Sequence, residues 1–443
     1  VARLCALLLF PLDYCGWYGD SYHRWQIAIY SLKIGYSHGR LWDLFGMEYF
    51  WGILPILVES FLLWIFSTAS LVPYRVFNLI IGSFNIIIFY LVAKKYLSSN
   101  AFLTALLISL CPVVIFVDIS GMAEPLGFLF AFSALLLYNK HDYLFGVLLG
   151  LASMCRIEFW PISWGLLACY IVFERSSTKF IPALMGWLTP MAPYFWYLNT
   201  RTGDFIYPFR WYFLGDIVGE WMGTGIQHPL LPLWRGLFIT IFALSVIGLL
   251  YIFKKKPRGY VFYAFVFGNL LLHGVTFGLS AYSRGFQPVY FVDRLIELDY
   301  IFLAMAVFLA IERVPKRSIG KIRAKTMVQI ASIIIMVYLY ASAASYTLYL
   351  YNMANKTVSS KFSLADWVTT HYSGGTIISN DVHVNYRLIN NGIQPSNVLG
   401  SMYCPHGDTT AAYLWLVKEN VTMILYLGDA RTLFPEPQAP VFH

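Results

Sequence analysis

Apolar runs close to the roughly 20 residues that cross a bilayer's hydrocarbon core recur along the first three quarters of this chain. One anchor or a single span does not produce that pattern, so most of the chain must fold in contact with lipid. Candidate spans fall near residues 1–11, 74–93, 101–117, 122–138, 143–155, 159–173, 178–198, 234–253, 260–280, 297–312 and 326–350, eleven in all. Composition agrees: 58% of the 443 residues are hydrophobic and 12% charged, where an average soluble domain carries about 25% charged residues. The net charge of +8 does not point to nucleic acid, because the basic residues stand in short clusters between apolar runs, where membrane orientation explains them. Six cysteines (Cys5, Cys15, Cys111, Cys155, Cys169 and Cys404) include no CxxC pair. Neither a metal cluster nor a disulfide framework is indicated.

Lysine and arginine resist translocation, so the loops that hold them mark the cytoplasmic side. The loops with Lys94 and Lys95, Lys140, Arg175 and Lys179, Lys254 to Arg258, and Arg313 to Lys325 carry 15 Lys or Arg against three acids. The alternate loops hold Asp118, Glu124, Glu158, Asp204, Asp216, Glu220, Asp293 and Glu297, and are expected to face outward. Trp51 to Leu71 also reads as a span, and counting it would invert the scheme. Pro55 and Glu59 interrupt that segment, and an ionisable group in lipid is costly unless it finds a partner or the surface. It is therefore expected to lie flat on the outer face.

The expected fold is an all-α polytopic membrane domain over residues 1–351, with about eleven transmembrane helices, and a small extracytoplasmic α/β domain over 352–443. The first outer loop, 12–73, is expected to hold two juxtamembrane helices, Asp20 to Ile34 and Tyr49 to Phe66. After Tyr351 the hydropathy falls. There SLADWVTTHY, VNYRLINNGI and TAAYLWLVKENV read as helices, and GTIISND and TMILYLGD as strands.

The outer loops hold the residues able to carry chemistry. The first contains WYGDSYHRW, with Asp20 beside His23 and Arg24, and Glu48 lies further along it. Asp20 fits a helix N-cap, since an Asp ahead of an amphipathic run satisfies free backbone N–H groups. It also fits a general base that takes a proton from an acceptor hydroxyl. In VDISGMAEPLGF, Asp118 and Glu124 stand between two spans, either as helix-end acids or as cavity groups for acceptor hydroxyls or a divalent ion. LASMCRIEFWPI puts Arg156 and Glu158 between two short spans, either as an ion pair at the outer interface or at a break of the kind tolerated where helices line a cavity or pack on protein. The late loop AYSRGFQPVYFVDRLIELDY holds Arg284 and Arg294, which read as snorkels to lipid headgroups or as forks that grip a phosphate. The aromatic loop 199–233 reads as an interfacial belt or as a platform for sugar rings.

In their order these features resemble the GT-C fold glycosyltransferases, especially the branch of protein O-mannosyltransferases and aminoarabinose transferases. The resemblance is carried by WYGDSYHRW, PYRVFNLIIGSFNIIIFYLVAKKYL, SGMAEPLGFLFAFSALLLY, LFGVLLGLASMCRIEFWPI, SRGFQPVYFVDRL and the small outer C-terminal domain, and it covers nearly the whole chain. Several mannosyltransferase-like enzymes carry two adjacent acids in the first loop, whereas here Ser21 follows Asp20. The resemblance implies an inverting transfer from a polyprenyl-phosphate sugar to a protein, lipid or glycan acceptor. It implies Asp20 as catalytic base, Arg156, Arg284 and Arg294 toward the donor phosphate, and His23, Arg24, Glu48, Asp118 and Glu124 around the acceptor. It further implies no cofactor and no metal, and an enzyme of a prokaryotic cell membrane with its catalytic side outward.

Readings from other classes stand beside this one. A secondary transporter would bind near the midplane between internal repeats, but no paired halves show and the ionisable residues gather in outer loops. A ligase that moves a lipid-linked glycan whole, or a non-catalytic membrane scaffold with a partner-binding C-terminal domain, fits the same residues.

Overall fold

The computed structural model describes residues 1–10, 19–34, 49, 51–97, 101–212, 231–257, 259–283, 302–303, 305–307, 309, 318–319, 322–400, 404–405 and 408–425. Long apolar runs become helices because a helix satisfies its own backbone groups without water. The helices are α1 (Ala2–Leu9), α2 (Asp20–Lys33), α3 (Ile53–Ile65), α4 (Val72–Tyr96), α5 (Ala101–Leu110), α6 (Pro112–Ile119), α7 (Glu124–Leu137) and α8 (Asp142–Ser153). They continue with α9 (Phe159–Cys169), extended by a π-turn over Tyr170–Glu174, then α10 (Ser177–Thr202), α11 (Tyr207–Tyr212), α12 (Leu231–Lys255) and α13 (Tyr260–Ser283). A two-stranded hairpin of β1 (Ser318–Ile319) and β2 (Ile322–Arg323) leads into α14 (Ala324–His371). Then come β3 (Thr376–Ile378), α15 (Val382–Asn390), β4 (Val398–Leu399), α16 (Thr409–Lys418) and β5 (Val421–Ile424).

A helix stands at ten of the eleven segments expected to span, and most of the remaining one, 297–312, lies outside the described residues. Length sets a stricter test. Among the described residues, Val72–Tyr96 and Thr326–Ser345 are long and apolar enough to cross a membrane alone. Helices α5 and α6, bent by 61° at their junction, make a third if they count as one span. Among the described residues the expected count of eleven is therefore not confirmed by length and composition. The bend has a local cause: Pro112 opens α6 and holds Cys111 extended, at φ −63° and ψ 119°, because proline excludes the helical region for the residue before it.

The chain divides into two compact units, Val1–Leu9 with Asn78–Leu348, and Phe10–Phe77 with Tyr349–His443. In the first, α8 and α10 cross at very short range. A Cβ on Gly146 would lie 1.8 Å from the Ala183 carbonyl oxygen, and one on Gly186 2.0 Å from that of Tyr143. Small residues that admit such an approach are the usual means of helix packing in lipid, where no hydrophobic force separates helix from solvent.

The second unit joins α2 and α3 to the C-terminal residues around one core. Tyr22, Trp25, Ile29, Ile56 and Leu63 pack with Ala365, Val368, Ile377, Val384, Tyr386 and Val398. The stretch read as an outer loop of the membrane domain thus shares its hydrophobic core with the α/β residues. The sheet is parallel, in the order β4-β3-β5, with Ile377 opposite Val398 and Met423. Strand β4 is absent from the sequence reading because two residues carry no periodicity. Helix α14 also runs through the expected boundary at 351/352, since no glycine or proline stands between Ala324 and His371 to end it.

Helix α3 is too short to cross a membrane alone. Thirteen residues reach about 20 Å at 1.5 Å per residue, short of a hydrocarbon core of about 30 Å. Leu57, Phe61, Trp64 and Ile65 are exposed on one face, while Ile56, Glu59 and Leu63 are buried on the other.

Candidate functional site

In the second unit the site is built at the head of α2. Asp20 is its first helical residue, and Gly19 occupies the cap position. The N-cap reading is corrected accordingly: the carboxylate stands within the first turn, where the helix dipole favours negative charge. Asp20 is 8% exposed, and Ser21, Tyr22, Arg24, Trp25 and Gln26 are buried, so a rigid and nearly enclosed helix positions the acid. Arg24 stands one turn on, at the i+4 position that faces it, with its guanidinium carbon 5.6 Å from the Trp51 ring centre. The His23 ring stacks on the same Trp51 at 6.4 Å.

Around this helix lie ionisable groups that the sequence did not single out. The start of α15 packs on α2: Tyr386 meets Tyr22 at 5.1 Å and Trp25 at 4.8 Å, and the His383 ring lies 4.5 Å from Tyr22. Asp381 caps α15 by accepting from the backbone N–H groups of His383 and Val384. Its carboxylate also meets Lys361 Nζ at 2.5 Å and His383 Nδ1 at 3.5 Å. Burial pushes the Asp381 carboxyl up, yet these partners hold it well below the usual carboxylate range. Burial lowers His383 below the ordinary histidine value, against the upward pull of Asp381. His383 therefore stays neutral beside an ionised Asp381.

Glu59 is the other buried acid of this unit among the described residues. It is fully enclosed and neither carboxyl oxygen has a hydrogen-bond partner among the described residues. Burial raises its pKa to about 8, and the charge of Arg24 pulls the other way. Near neutral pH Glu59 is thus a carboxylic acid. Because its folded pKa lies above its unfolded value of 4.5, the native state keeps the proton longer. Its contribution to stability is full below the unfolded pKa and is lost as pH rises through the folded one. The span between the two corresponds to a stability change on the order of 5 kcal/mol. Wild-type protein in detergent is expected to melt lower at about pH 9 than at about pH 5, and Glu59→Gln to flatten that slope. Equal slopes in thermal unfolding would show that Glu59 does not titrate this way.

The first unit holds a second group of ions. Asp118 lies in the last turn of α6, not at a helix start, so it caps nothing. An acid there opposes the helix dipole, and Arg3 compensates, donating from Nε to Asp118 at 2.6 Å and from Nη1 to the Ser109 carbonyl at 3.0 Å. Gly82 makes the space: a Cβ there would lie 2.1 Å from the Asp118 carboxyl carbon. Gly82→Val is expected to destabilise the protein by about 1–3 kcal/mol through overpacking, read as a lower melting temperature. An unchanged melting temperature would mean that the pair relaxes freely.

Glu124 opens α7, as the sequence suggests, with Pro125 beside it. Arg156 joins the neighbouring acids: its Nη1 donates to Glu124 at 2.6 Å, while Nε and Nη2 fork onto Glu158 at 3.0 and 2.5 Å. The turn that bears Arg156 is fixed from beneath. Ser153 Oγ lies 3.1 Å from Ser163 Oγ, and Trp160 Nε1 donates to the Ser153 carbonyl at 2.9 Å. Across from it, Asn78 and Asn85 of α4 donate to the Met122 and Pro125 carbonyls, which holds the entry to α7.

The structure thus brings Glu124 and Arg156 together, places Asp118 with Arg3, and sets Asp20, His23 and Arg24 in the other unit. Glu48, Arg284 and Arg294 lie outside the described residues. Among the described residues, no three His, Cys, Asp or Glu side chains gather as a metal-holding group.

No family model and no curated protein matches the sequence. Among the solved structures similar to it are two of oligosaccharyltransferases. One is the crystal structure of the Archaeoglobus fulgidus oligosaccharyltransferase tethered by a disulfide to an acceptor peptide with the NVT sequon. It is 14% identical with a TM-score of 0.48, over 95% of this chain and 67% of that one. The other is the archaeal oligosaccharyltransferase AglB from Archaeoglobus fulgidus in complex with an inhibitory peptide and a dolichol-phosphate, 14% identical with a TM-score of 0.45, over 96% and 68% of the two chains.

Proposed function

We propose that this protein is a membrane glycosyltransferase of the GT-C type. It moves a sugar from a polyprenyl-phosphate donor to an acceptor hydroxyl, with inversion and with Asp20 as the general base. The observation that carries this reading is the setting of Asp20, a nearly enclosed carboxylate on the first turn of a buried helix. A base must be held in place to act, and sites on helices are held more closely than sites on loops. The acceptor oxygen gives its proton to Asp20 as it attacks C1 of the sugar. The bond from C1 to the phosphate oxygen breaks, its electron pair leaves with the polyprenyl phosphate, and a single displacement inverts C1.

The donor phosphate falls to Arg284 and Arg294, whose guanidinium groups suit two-point contact with phosphate oxygens. Arg156, already forked onto Glu158 and bonded to Glu124, takes the part of a positioning residue for these acids. His23, Arg24 and Glu48 serve acceptor hydroxyls. The reading needs no metal and no cofactor. The basic clusters at Lys94, Lys140 and Lys254 support a cytoplasmic side opposite Asp118, and the catalytic face is placed outside on that ground.

Mass spectrometry of lipids and glycans from cells with and without the chain tests the function. The expected result is a lipid-phosphate sugar that accumulates when the chain is lost, together with the disappearance of one glycan. Identical lipid and glycan profiles would overturn the reading.

A further inference from the structure

The first unit contains an apolar groove of about 470 Å³ between α9 with its π-turn, the end of α12, and α13. Its lining runs along α9 from Pro161 to Phe173, about 18 Å at 1.5 Å per residue. Gly165 and Gly268 line it without filling it: a Cβ on Gly165 would meet no atom within 4 Å, and one on Gly268 only Ile162 Cδ1, at 3.7 Å. The walls are otherwise hydrocarbon and aromatic, with Phe253 and Val275 among them, apart from Cys169, whose thiol donates to the Gly165 carbonyl.

One end of the groove differs. Phe173 closes it against Phe253 at 5.4 Å and Tyr260 at 4.8 Å. Lys256 donates from Nζ to the Phe173 carbonyl and lies 5.7 Å over the Tyr260 ring. Lys254 and Lys255 precede it at the end of α12 and are exposed. Arg175 and Lys179 follow the π-turn. The acid among these residues, Glu174, is engaged: it accepts from the Tyr260 hydroxyl and from Asn139 Nδ2, and lies 3.8 Å from Lys179. An open hydrocarbon slot that ends in a tyrosine and several ammonium groups matches a molecule with an apolar chain and an anionic head. Basic pockets between membrane helices bind lipid headgroups in this way.

We propose that this groove is a binding site for an anionic phospholipid, one acyl chain lying between α9 and α13 and the phosphate held at Lys254, Lys255 and Lys256. It is separate from the sugar donor. The basic end adjoins the start of α13 at Tyr260, whereas Arg284 follows the other end of that helix at Ser283. The proposal therefore stands whether or not the glycosyltransferase reading does.

The test is native mass spectrometry and thermal unfolding of the delipidated full chain, with added dioleoyl phosphatidylglycerol or dioleoyl phosphatidylcholine. Wild type is expected to retain one phosphatidylglycerol through detergent washing and to melt higher with it than with phosphatidylcholine. Lys254→Gln, Lys255→Gln and Lys256→Gln together are expected to remove that headgroup preference. Gly165→Leu with Gly268→Leu fills the groove and is expected to lower retention about tenfold, the effect of a loss near 1.4 kcal/mol in binding. That pair should leave the melting temperature in detergent alone unchanged. Equal retention of both lipids by wild type, or undiminished retention by the glycine pair, would overturn the proposal. Should the glycine pair fail to fold, the wild-type comparison and the lysine triple still decide it.

Discussion

Asp20→Asn is expected to lower sugar transfer by about a hundredfold to ten-thousandfold, the usual cost of removing a general base, while the protein stays folded and still binds donor. The amide keeps the size and shape of the carboxylate in a helix where the neighbouring residues are buried, so packing is preserved. What it loses is the ability to accept a proton. The missing charge in the first turn also forfeits an interaction with the helix dipole, about 0.3–1 kcal/mol, which sets how far the melting temperature should move. Turnover followed with a radiolabelled lipid-phosphate sugar separates the two effects. Near-normal turnover in the Asn variant would remove Asp20 as the base and turn attention to Asp118 and Glu124.

Arg156→Ala is expected to have the largest effect on stability. The guanidinium makes three hydrogen bonds to two carboxylates, with side-chain exposures of 17% for Arg156, 2% for Glu124 and 11% for Glu158. Removing one partner of a buried ion group leaves the others uncompensated, typically at about 3–5 kcal/mol. Lysine should restore only part, because a single ammonium cannot fork onto Glu158 and reach Glu124 together. Adding Glu124→Gln and Glu158→Gln to the alanine variant should recover much of the loss, since the buried charges go with the cation. An unchanged melting temperature in Arg156→Ala would show that these acids do not depend on it.

The helices, and the place of Asp20 near the head of one, were legible in the sequence because apolar and amphipathic runs are local signals, although the cap position itself falls to Gly19. Glu124 with Pro125 at a helix start was legible for the same reason. The pairing of Arg156 with Glu158 was visible at a spacing of two residues, but the reach to Glu124 was not, because it depends on how α7 and α8 return beside each other. Arg3 with Asp118 is hidden more deeply: 115 residues separate them, and no pattern in either segment names the other. The cluster of Lys361, Asp381 and His383 beside Tyr22 was missed because residues 10–77 were read with the membrane helices, while their core is completed by the C-terminal strands and helices. Glu59 was noticed as an interruption of an apolar helix. Its enclosure, and so its raised pKa, follows from the packing of α2 on α3, which hydropathy does not carry.

The most direct test of the central claim is the stereochemical outcome of the reaction. Purified full-length protein in lipid nanodiscs would be given a polyprenyl-phosphate sugar of known anomeric configuration and acceptors extracted from its own membranes, with the product's anomeric centre read by NMR. Release of polyprenyl phosphate with inversion at C1 is the predicted result. Transfer with retention, or no release from any such donor, would contradict a single displacement assisted by Asp20.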